Sequence, residues 1–370
     1  MARIPITAAV LETPGEPLRA TTVYLDEPGP GEVLVRTEAA GLCHSDLHYL
    51  NGSLAIVTPV VLGHEVVGRV DQVGTGVTRL RPGDRVVATV TPSCGACSQC
   101  VSGHPTQCLR VGELRERAEP LIVDADGVEV GSLAGIGAFA EAFVVREAAL
   151  ALVTDDVDPL AACLLGCCIS TGVGAVVHGA AVSASDTVLV IGCGGVGMAA
   201  IQGARICGAR RIVAVDLHPE KLELARQLGA TDVILASDDV RGRVDTIAPN
   251  GVTRAFEAVG RPATAELAFS LLAPGGVATI LGLMPEGSRI NVDASALIEG
   301  DRKLQGAYMG GNRFLADIDL LTDHHRTGRL DLESMVTGVV SLNDINDGFD
   351  AMRDPQSIRT VVDFRGKVPA

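Results

Sequence analysis

Along the first part of the chain, to about residue 150, short runs of β-branched and apolar side chains alternate with Gly/Pro punctuation. Glu32-Val-Leu-Val-Arg-Thr37, Val66-Val-Gly-Arg-Val70 and Asp84-Arg-Val-Val-Ala-Thr-Val90 are such runs. Pro28-Gly-Pro-Gly31 and Arg81-Pro-Gly-Asp84 separate them. Short strands between turn signals predict a twisted, barrel-like β domain. From about Thr171 the rhythm changes. Val188-Leu-Val-Ile191 reads as a buried strand, a glycine-rich turn follows it, and a helical stretch runs to Cys207. Arg211-Ile-Val-Ala-Val-Asp216 is the next strand, Pro219 to Gly229 the next helix, and Val277 to Gly282 a later strand. Strands alternating with helices predict parallel βαβ units, so the fold class is α/β. Near the C-terminus the pattern predicts amphipathic helices over 317–327 and 342–353 and a strand over 360–364. There is no internal repeat and no low-complexity tract.

A chain of 370 residues predicts two or three domains. Hydrophobic residues make up 47% and charged residues 20%, which excludes intrinsic disorder and allows a large core. Forty-five acidic against thirty basic residues give a net charge of −15, so nucleic acid and anionic lipid are poor partners. With no Trp and 3% aromatics, base-stacking platforms have few side chains to draw on. The stretch from Met1 to Glu12 lacks a basic region and an apolar core, unlike a secretory signal. The longest apolar run, Val188 to Ile201, is broken by glycines and falls short of the ~18 residues of a membrane helix. A soluble, cytoplasmic chain is expected, with neither nucleic acid nor membrane as partner.

Gly192-Cys-Gly-Gly-Val-Gly197 fits G-x-G-x-x-G directly after a strand and at the opening of a helix. Gly192, Gly194, Gly195, Val196 and Gly197 would make a tight turn that lets a pyrophosphate approach the backbone. The helix N-terminus supplies N–H groups and a positive dipole end. Asp216 closes the next strand, nineteen residues beyond Gly197, where a carboxylate accepts bonds from the ribose hydroxyls. It would repel a 2′-phosphate. Lys221 is within reach of the ribose, but Leu217 and His218 form no cationic cradle, so NAD is favoured over NADP.

The ten cysteines cluster, and in a chain without an export signal such clusters read as metal ligands before disulfides. Cys94, Cys97, Cys100 and Cys108 give C-x2-C-x2-C-x7-C. Four thiolates from one loop close tetrahedrally on Zn²⁺ and leave no open position, which makes a structural site. An iron–sulfur run shares the first two spacings but takes x3-C-P next, whereas here the gap is longer and Leu109 follows.

A second set is dispersed: Gly41-Leu-Cys43-His44-Ser45-Asp46-Leu47-His48, Gly63-His64-Glu65 and Gly166-Cys167-Cys168. Taken singly, each His reads as a packing or surface residue. Together with the four-cysteine lobe and Gly192–Gly197, in this order, the set resembles the zinc-dependent medium-chain alcohol dehydrogenases over essentially the whole chain. The long segment between Cys108 and Phe139 is similar to the branch of liver-type and glutathione-formaldehyde-type enzymes. The resemblance implies a GroES-like, β-barrel-type catalytic domain over 1–168 and 309–370. It implies a doubly wound, parallel-sheet Rossmann domain binding NAD over 169–308.

The resemblance makes Cys43, His64 and Cys167 the ligands of a catalytic zinc with a fourth position for water or substrate, so the chain would carry two Zn²⁺. It makes Asp46 the acid behind His64 and places Glu65 behind the metal, assisting ligand exchange. In the implied reaction zinc acts as a Lewis acid on the alcohol and hydride passes to NAD⁺. The proton leaves through Ser45 and the nicotinamide ribose to His48; a plain surface role is the other reading of His48. His44 and Arg359 would meet the pyrophosphate. Thr171, Val196, Leu281 and Met309 would line the nicotinamide or its ribose.

Leu54 stands where the glutathione-dependent branch has an acid, and Gly112 about where it has an arginine, so a glutathione adduct would lack its polar partners. Val90 replaces a bulky aromatic, and Phe139 would be another wall. The expected substrates are medium-chain or aromatic primary alcohols and aldehydes. Three alternatives stand beside this: a formaldehyde dehydrogenase for another thiol adduct, an enzyme that retains its NAD, and a non-catalytic zinc or nucleotide binder. Family habit implies a homodimer, with tetramers also known.

Overall fold

Glu32-Val-Leu-Val-Arg-Thr37 lies in a ten-residue strand, Glu32–Gly41, buried at eight of its positions. The computed structural model describes residues 3–117, 119–354 and 356–367. The chain divides into two units, one of Met1–Cys167, Arg313–Arg326 and Leu332–Ala370, the other of Cys168–Asn312 and Thr327–Asp331.

With strands numbered along the chain, the first unit holds β1 (Ile4–Leu11), β2 (Arg19–Leu25), β3 (Glu32–Gly41), β4 (Val60–Val61) and β5 (Glu65–Val73). It continues with β6 (Arg85–Ala88), β7 (Ile122–Val123), β8 (Glu129–Ser132), β9 (Ala142–Arg146) and β10 (Leu150–Leu152). The order β1-β2-β7-β8-β4 closes into a barrel. A seven-stranded sheet runs β10-β6-β5-β3-β18-β17, with β9 also on β3, where β17 is Val336–Val340 and β18 is Arg359–Asp363. Register decides which distant residues meet. Gly41 at the end of β3 lies opposite Glu65 at the start of β5 and opposite Val361 in the middle of β18. Residues 43, 64–65 and 359 are thereby gathered at one end of the sheet.

The second unit is built on six parallel strands in the order β13-β12-β11-β14-β15-β16. These are β11 (Thr187–Ile191), β12 (Arg211–Asp216), β13 (Asp232–Leu235), β14 (Val252–Glu257), β15 (Leu272–Ile280) and β16 (Lys303–Gly306). Leu189, Ile191, Val213, Val215, Ile234, Val244 and Phe269 form part of the core against this sheet. Such near-continuous apolar strands are the mark of a parallel sheet covered on both faces. The α/β class and the doubly wound sheet expected from the sequence are both present.

The sequence pattern did not single out β13, β14 or β16. Two of them have only four residues, and β14 carries Arg254 in its middle, where the guanidinium Nε–H donates to the Ala180 carbonyl at 2.8 Å. Strand β15 begins at Leu272, five residues before the expected Val277, with a register shift opposite it between Val252 and Arg254. The expected helix over 342–353 is a 3-10 turn, Leu342–Asp344, followed by a helix over Ile345–Ala351. Among the described residues no single helix is long and apolar enough to cross a membrane.

Candidate active site

Cys43 caps the short helix His44–Leu50, which starts just past β3. His64 immediately precedes β5, and Cys167 follows the 3-10 turn Cys163–Gly166. That turn comes close to β6: a Cβ on Gly166 would lie 2.7 Å from the Ala88 carbonyl oxygen. One ligand atom from each of Cys43, His64 and Cys167 lies within 4.8 Å of the others, and all three residues are buried.

Asp46, 0% exposed, organises the trio. Its Oδ2 accepts the Cys43 N–H at 3.1 Å, and its Oδ1 accepts the Gly63 N–H at 3.0 Å and faces His64 Nδ1 at 3.1 Å. A hydrogen on Nδ1 leaves the Nε2 lone pair for a metal. One carboxylate thus ties down two ligand-bearing segments and selects a tautomer. Asp46→Asn keeps the size but turns an N–H₂ toward donors. We expect zinc affinity at this site to fall by about 10- to 100-fold, read by competition with a chromogenic chelator. Unchanged affinity would remove Asp46 from this role.

The charges agree with a metal-binding purpose. A hydrogen bond with Cys167, against the opposing effect of burial, holds the Cys43 thiol well below its usual range, helped by His64 and Arg359. Burial works to lower the His64 pKa, but the charge and hydrogen bond of Asp46, with Cys43, raise it well above its usual value. A lowered Cys43 suits the thiolate form that a metal takes, and zinc would compete with protons for these donors. Behind them, burial pushes Glu65 up to about 7, opposed chiefly by Arg359, whose Nη2 lies 3.5 Å from Glu65 Oε1. Two thiolates and a neutral imidazole suit Zn²⁺ and leave one coordination place open.

The second metal group is Cys94, Cys97, Cys100 and Cys108. The Cys97–Cys100 Sγ distance is 3.4 Å, while Cys94–Cys100 and Cys97–Cys108 are each 4.0 Å. Tetrahedral zinc with ~2.3 Å bonds needs sulfurs about 3.8 Å apart, so the donor set fits. Backbone N–H groups of Cys94 and Cys97 point at the sulfurs of Cys108 and Cys94, both at 3.3 Å. Hydrogen bonds from the backbone at Cys100 and Leu109 lower Cys97 to about 6. Both expected ligand sets are therefore assembled from the residues named in the sequence.

In the second unit, Gly192 takes φ +94° as β11 turns into the helix Gly195–Ile206. A Cβ on Gly197 would lie 1.8 Å from the Gly192 carbonyl oxygen, so only glycine lets the helix seat on the loop. Asp216 Oδ2 accepts the Cys193 N–H at 2.7 Å and Oδ1 the His218 N–H at 2.9 Å. The acid expected to meet ribose thus also pins the glycine-rich loop. Lys221 is half-buried in the helix Pro219–Leu228, and Val196 is half-buried in the first turn of its own helix. The Thr171 hydroxyl lies 3.6 Å from Met309 Sδ, and the Leu281 N–H donates to the Glu257 carbonyl at 2.8 Å.

The remaining expected residues are distributed more loosely. His44 is exposed, and Ser45 and His48 are half-buried, with Ser45 Oγ 3.5 Å from Cys43 Sγ. Leu54 is half-buried and its N–H donates to the His48 carbonyl at 3.0 Å. Val90 is 9% exposed, and its carbonyl accepts from Arg115. Phe139 is 0% exposed: its ring meets Phe349 edge to face, with centroids 5.9 Å apart, and backs onto Gly63. It shapes the backbone leading to His64. Arg115 escaped the sequence reading although it lies three residues beyond Gly112, which is exposed. Cys193 and Cys207 have thiols pushed up by burial, which fits packing.

Residues 29–155 match the alcohol dehydrogenase GroES-like domain and residues 195–323 the zinc-binding dehydrogenase domain. The S-(hydroxymethyl)glutathione dehydrogenase of Escherichia coli is 37% identical over 368 residues, covering 96% of this chain and 99% of that protein. The chain belongs to the zinc-binding alcohol dehydrogenase family, and it is an oxidoreductase of that type. Among solved structures, an alcohol dehydrogenase zinc-binding domain protein from Burkholderia ambifaria superposes with TM-score 0.93 at 32% identity, covering all of both chains. Benzyl alcohol dehydrogenase from Acinetobacter calcoaceticus follows with TM-score 0.90 at 29% identity, over 97% of this chain and 99% of that one.

Proposed function

We propose that the chain is an NAD-dependent zinc alcohol dehydrogenase for medium-chain or aromatic primary alcohols and their aldehydes. The observation that carries this is the buried set Cys43, His64 and Cys167, three donors gathered within 4.8 Å of one another, one short of the four that tetrahedral zinc takes. When bound, zinc supplies Lewis acidity toward a hydroxyl or carbonyl oxygen, and NAD supplies the hydride acceptor or donor. Cys43, His64 and Cys167 would hold the metal, while Asp46 keeps Nδ1 of His64 protonated. Ser45 Oγ would take the hydroxyl proton of the alcohol, and His48 would pass it to solvent. Glu65 and Arg359 balance each other's charge behind the ligands. In the second unit, the Gly192–Gly197 loop and the helix it opens would bind the pyrophosphate, and Asp216 the adenosine ribose. We assign the first unit to metal and substrate and the second to the dinucleotide. A cytoplasmic homodimer is the expected state.

For the substrate, Leu54 and Val90 support an apolar alcohol, as does the likeness to a benzyl alcohol dehydrogenase. A second reading, oxidation of a formaldehyde–thiol adduct, is favoured by the name of the 37% identical relative. A glutathione adduct carries carboxylates and an ammonium; Leu54 and Gly112 offer them no partner, and the cation near Gly112 is Arg115, whose guanidinium donates to the Val90 carbonyl. The deciding assay follows NADH at 340 nm with benzyl alcohol, 1-hexanol, and formaldehyde with or without glutathione. Turnover of benzyl alcohol or hexanol without thiol supports the first reading. Turnover that requires formaldehyde and glutathione together overturns it in favour of the second.

A further inference from the structure

Glu257 closes β14, is 0% exposed, and takes no part in the chemistry proposed above. Its Oε1 accepts three donors: the Val259 N–H at 2.9 Å, the Gly260 N–H at 2.8 Å and the Thr264 hydroxyl at 2.7 Å. Its Oε2 is buried with no hydrogen-bond partner among the described residues. Keeping a carboxylate out of water to hold one turn is costly, so the turn itself merits a function.

That turn is where three strand ends meet. The Ala258 N–H donates to Ile191, the last residue of β11, at 2.9 Å. The N–H groups of Leu281 and Gly282, just past β15, donate to the carbonyl of Glu257 at 2.8 and 3.1 Å. Packing here is tight. A Cβ on Gly282 would lie 2.1 Å from Gly260 N, and one on Gly192 would lie 2.7 Å from Val259 Cγ2. The Glu257 side chain thus folds residues 258–260 back between the glycine-rich loop and Leu281.

In the strand order of this sheet the direction reverses between β11 and β14, and a dinucleotide lies across the carboxyl ends of the strands there. Asp216, on β12, marks the adenosine half, which leaves the ends of β14 and β15 to the nicotinamide half. Resting on the dinucleotide reading above, we propose that Glu257 is a positioning residue for the nicotinamide half. It acts through the 258–260 turn, setting Leu281 without touching the cofactor.

The test uses the full-length zinc-loaded protein and two ligands, NADH by fluorescence titration and AMP by calorimetry. Glu257→Leu removes all three bonds and should raise the Kd for NADH by about tenfold or more, while the Kd for AMP moves by less than about twofold. Glu257→Gln keeps an acceptor without the charge and should fall between wild type and Leu. Thr264→Val removes one bond and should shift the NADH Kd by about two- to threefold. Circular dichroism checks folding; if the Leu variant does not fold, the Gln and Val variants carry the comparison. An NADH Kd unchanged in Glu257→Gln, or NADH and AMP weakened in parallel, overturns the proposal. Failure of the wild type to bind NADH would instead overturn the dinucleotide reading, and is visible before any variant is made.

Discussion

Cys167→Ala is expected to leave a folded protein that has lost alcohol turnover by about a thousandfold or more, the several kcal/mol of Lewis-acid stabilisation expressed as rate. Zinc should fall from about two to about one per chain, because only one of the two donor groups is broken. Removing one sulfur of the trio leaves two donors in a buried space. Cys43, which the hydrogen bond with Cys167 holds low, then loses the largest of the interactions that lower it. Binding of NADH should persist, since the glycine-rich loop and Asp216 belong to the other unit. Cys97→Ser gives the opposite pairing: the zinc count again drops to about one, but the loss is in stability, about 5–10 °C in Tm for a few kcal/mol. Metal analysis, steady-state rates and thermal melts on the two variants separate the sites. Normal turnover in Cys167→Ala would remove the proposed metal chemistry altogether.

Protons compete for both sites. His64 is raised above its ordinary value and Cys43 is lowered, and a metal takes the imidazole neutral and the thiols as thiolates, so zinc and protons compete for the same atoms. Zinc affinity should therefore weaken as pH falls, as more of the donors carry protons. Chelator competition repeated across a series of pH values reads the slope.

How much of this is legible in the sequence depends on how far apart the cooperating residues lie. Gly192, Gly197 and Asp216 belong to one strand–helix–strand unit, so spacing alone fixes their relation. The four cysteines of the lobe share one loop, and their spacing names the metal. Cys43, His64 and Cys167 come from three distant segments, and no local rule joins them. Register joins the first two, with Gly41 opposite Glu65 across β3 and β5, the close approach of Gly166 to Ala88 brings in the third, and resemblance named the set where spacing was silent. The contact of Arg359 with Glu65 rests on the pairing of β18 with β3, more than three hundred residues apart in sequence. Phe139 shows the limit on the apolar side. A large aromatic near a pocket reads as a wall, yet only the packing of Gly63 and Phe349 around it shows that it faces the core. Glu257 was invisible because β14, with Arg254 inside it, breaks the apolar run that would have announced a strand.

Asp216 should decide between the two nicotinamide dinucleotides, and the way it fails when replaced is informative. A 2′-phosphate about 4 Å from its carboxylate meets roughly 4 kcal/mol of repulsion per unit charge at an effective dielectric of 20, so NADP should be used about a thousandfold less well than NAD. Simple repulsion would predict that Asp216→Asn gains NADP. The geometry predicts otherwise. Both carboxylate oxygens are engaged, one by the Cys193 N–H of the glycine-rich loop and the other by the His218 N–H. An amide can accept with only one side, so one of these N–H groups loses its partner and, if it is Cys193, the pyrophosphate loop loosens for either cofactor. We expect Asp216→Asn to lower kcat/KM for NAD by about 10- to 100-fold, mostly through KM. NADP should rise little, so the preference narrows by loss rather than by exchange. Parallel titrations of both cofactors at fixed benzyl alcohol read this directly. An Asn variant that keeps NAD unchanged while taking NADP efficiently would show that Asp216 acts by charge alone and does not hold the loop.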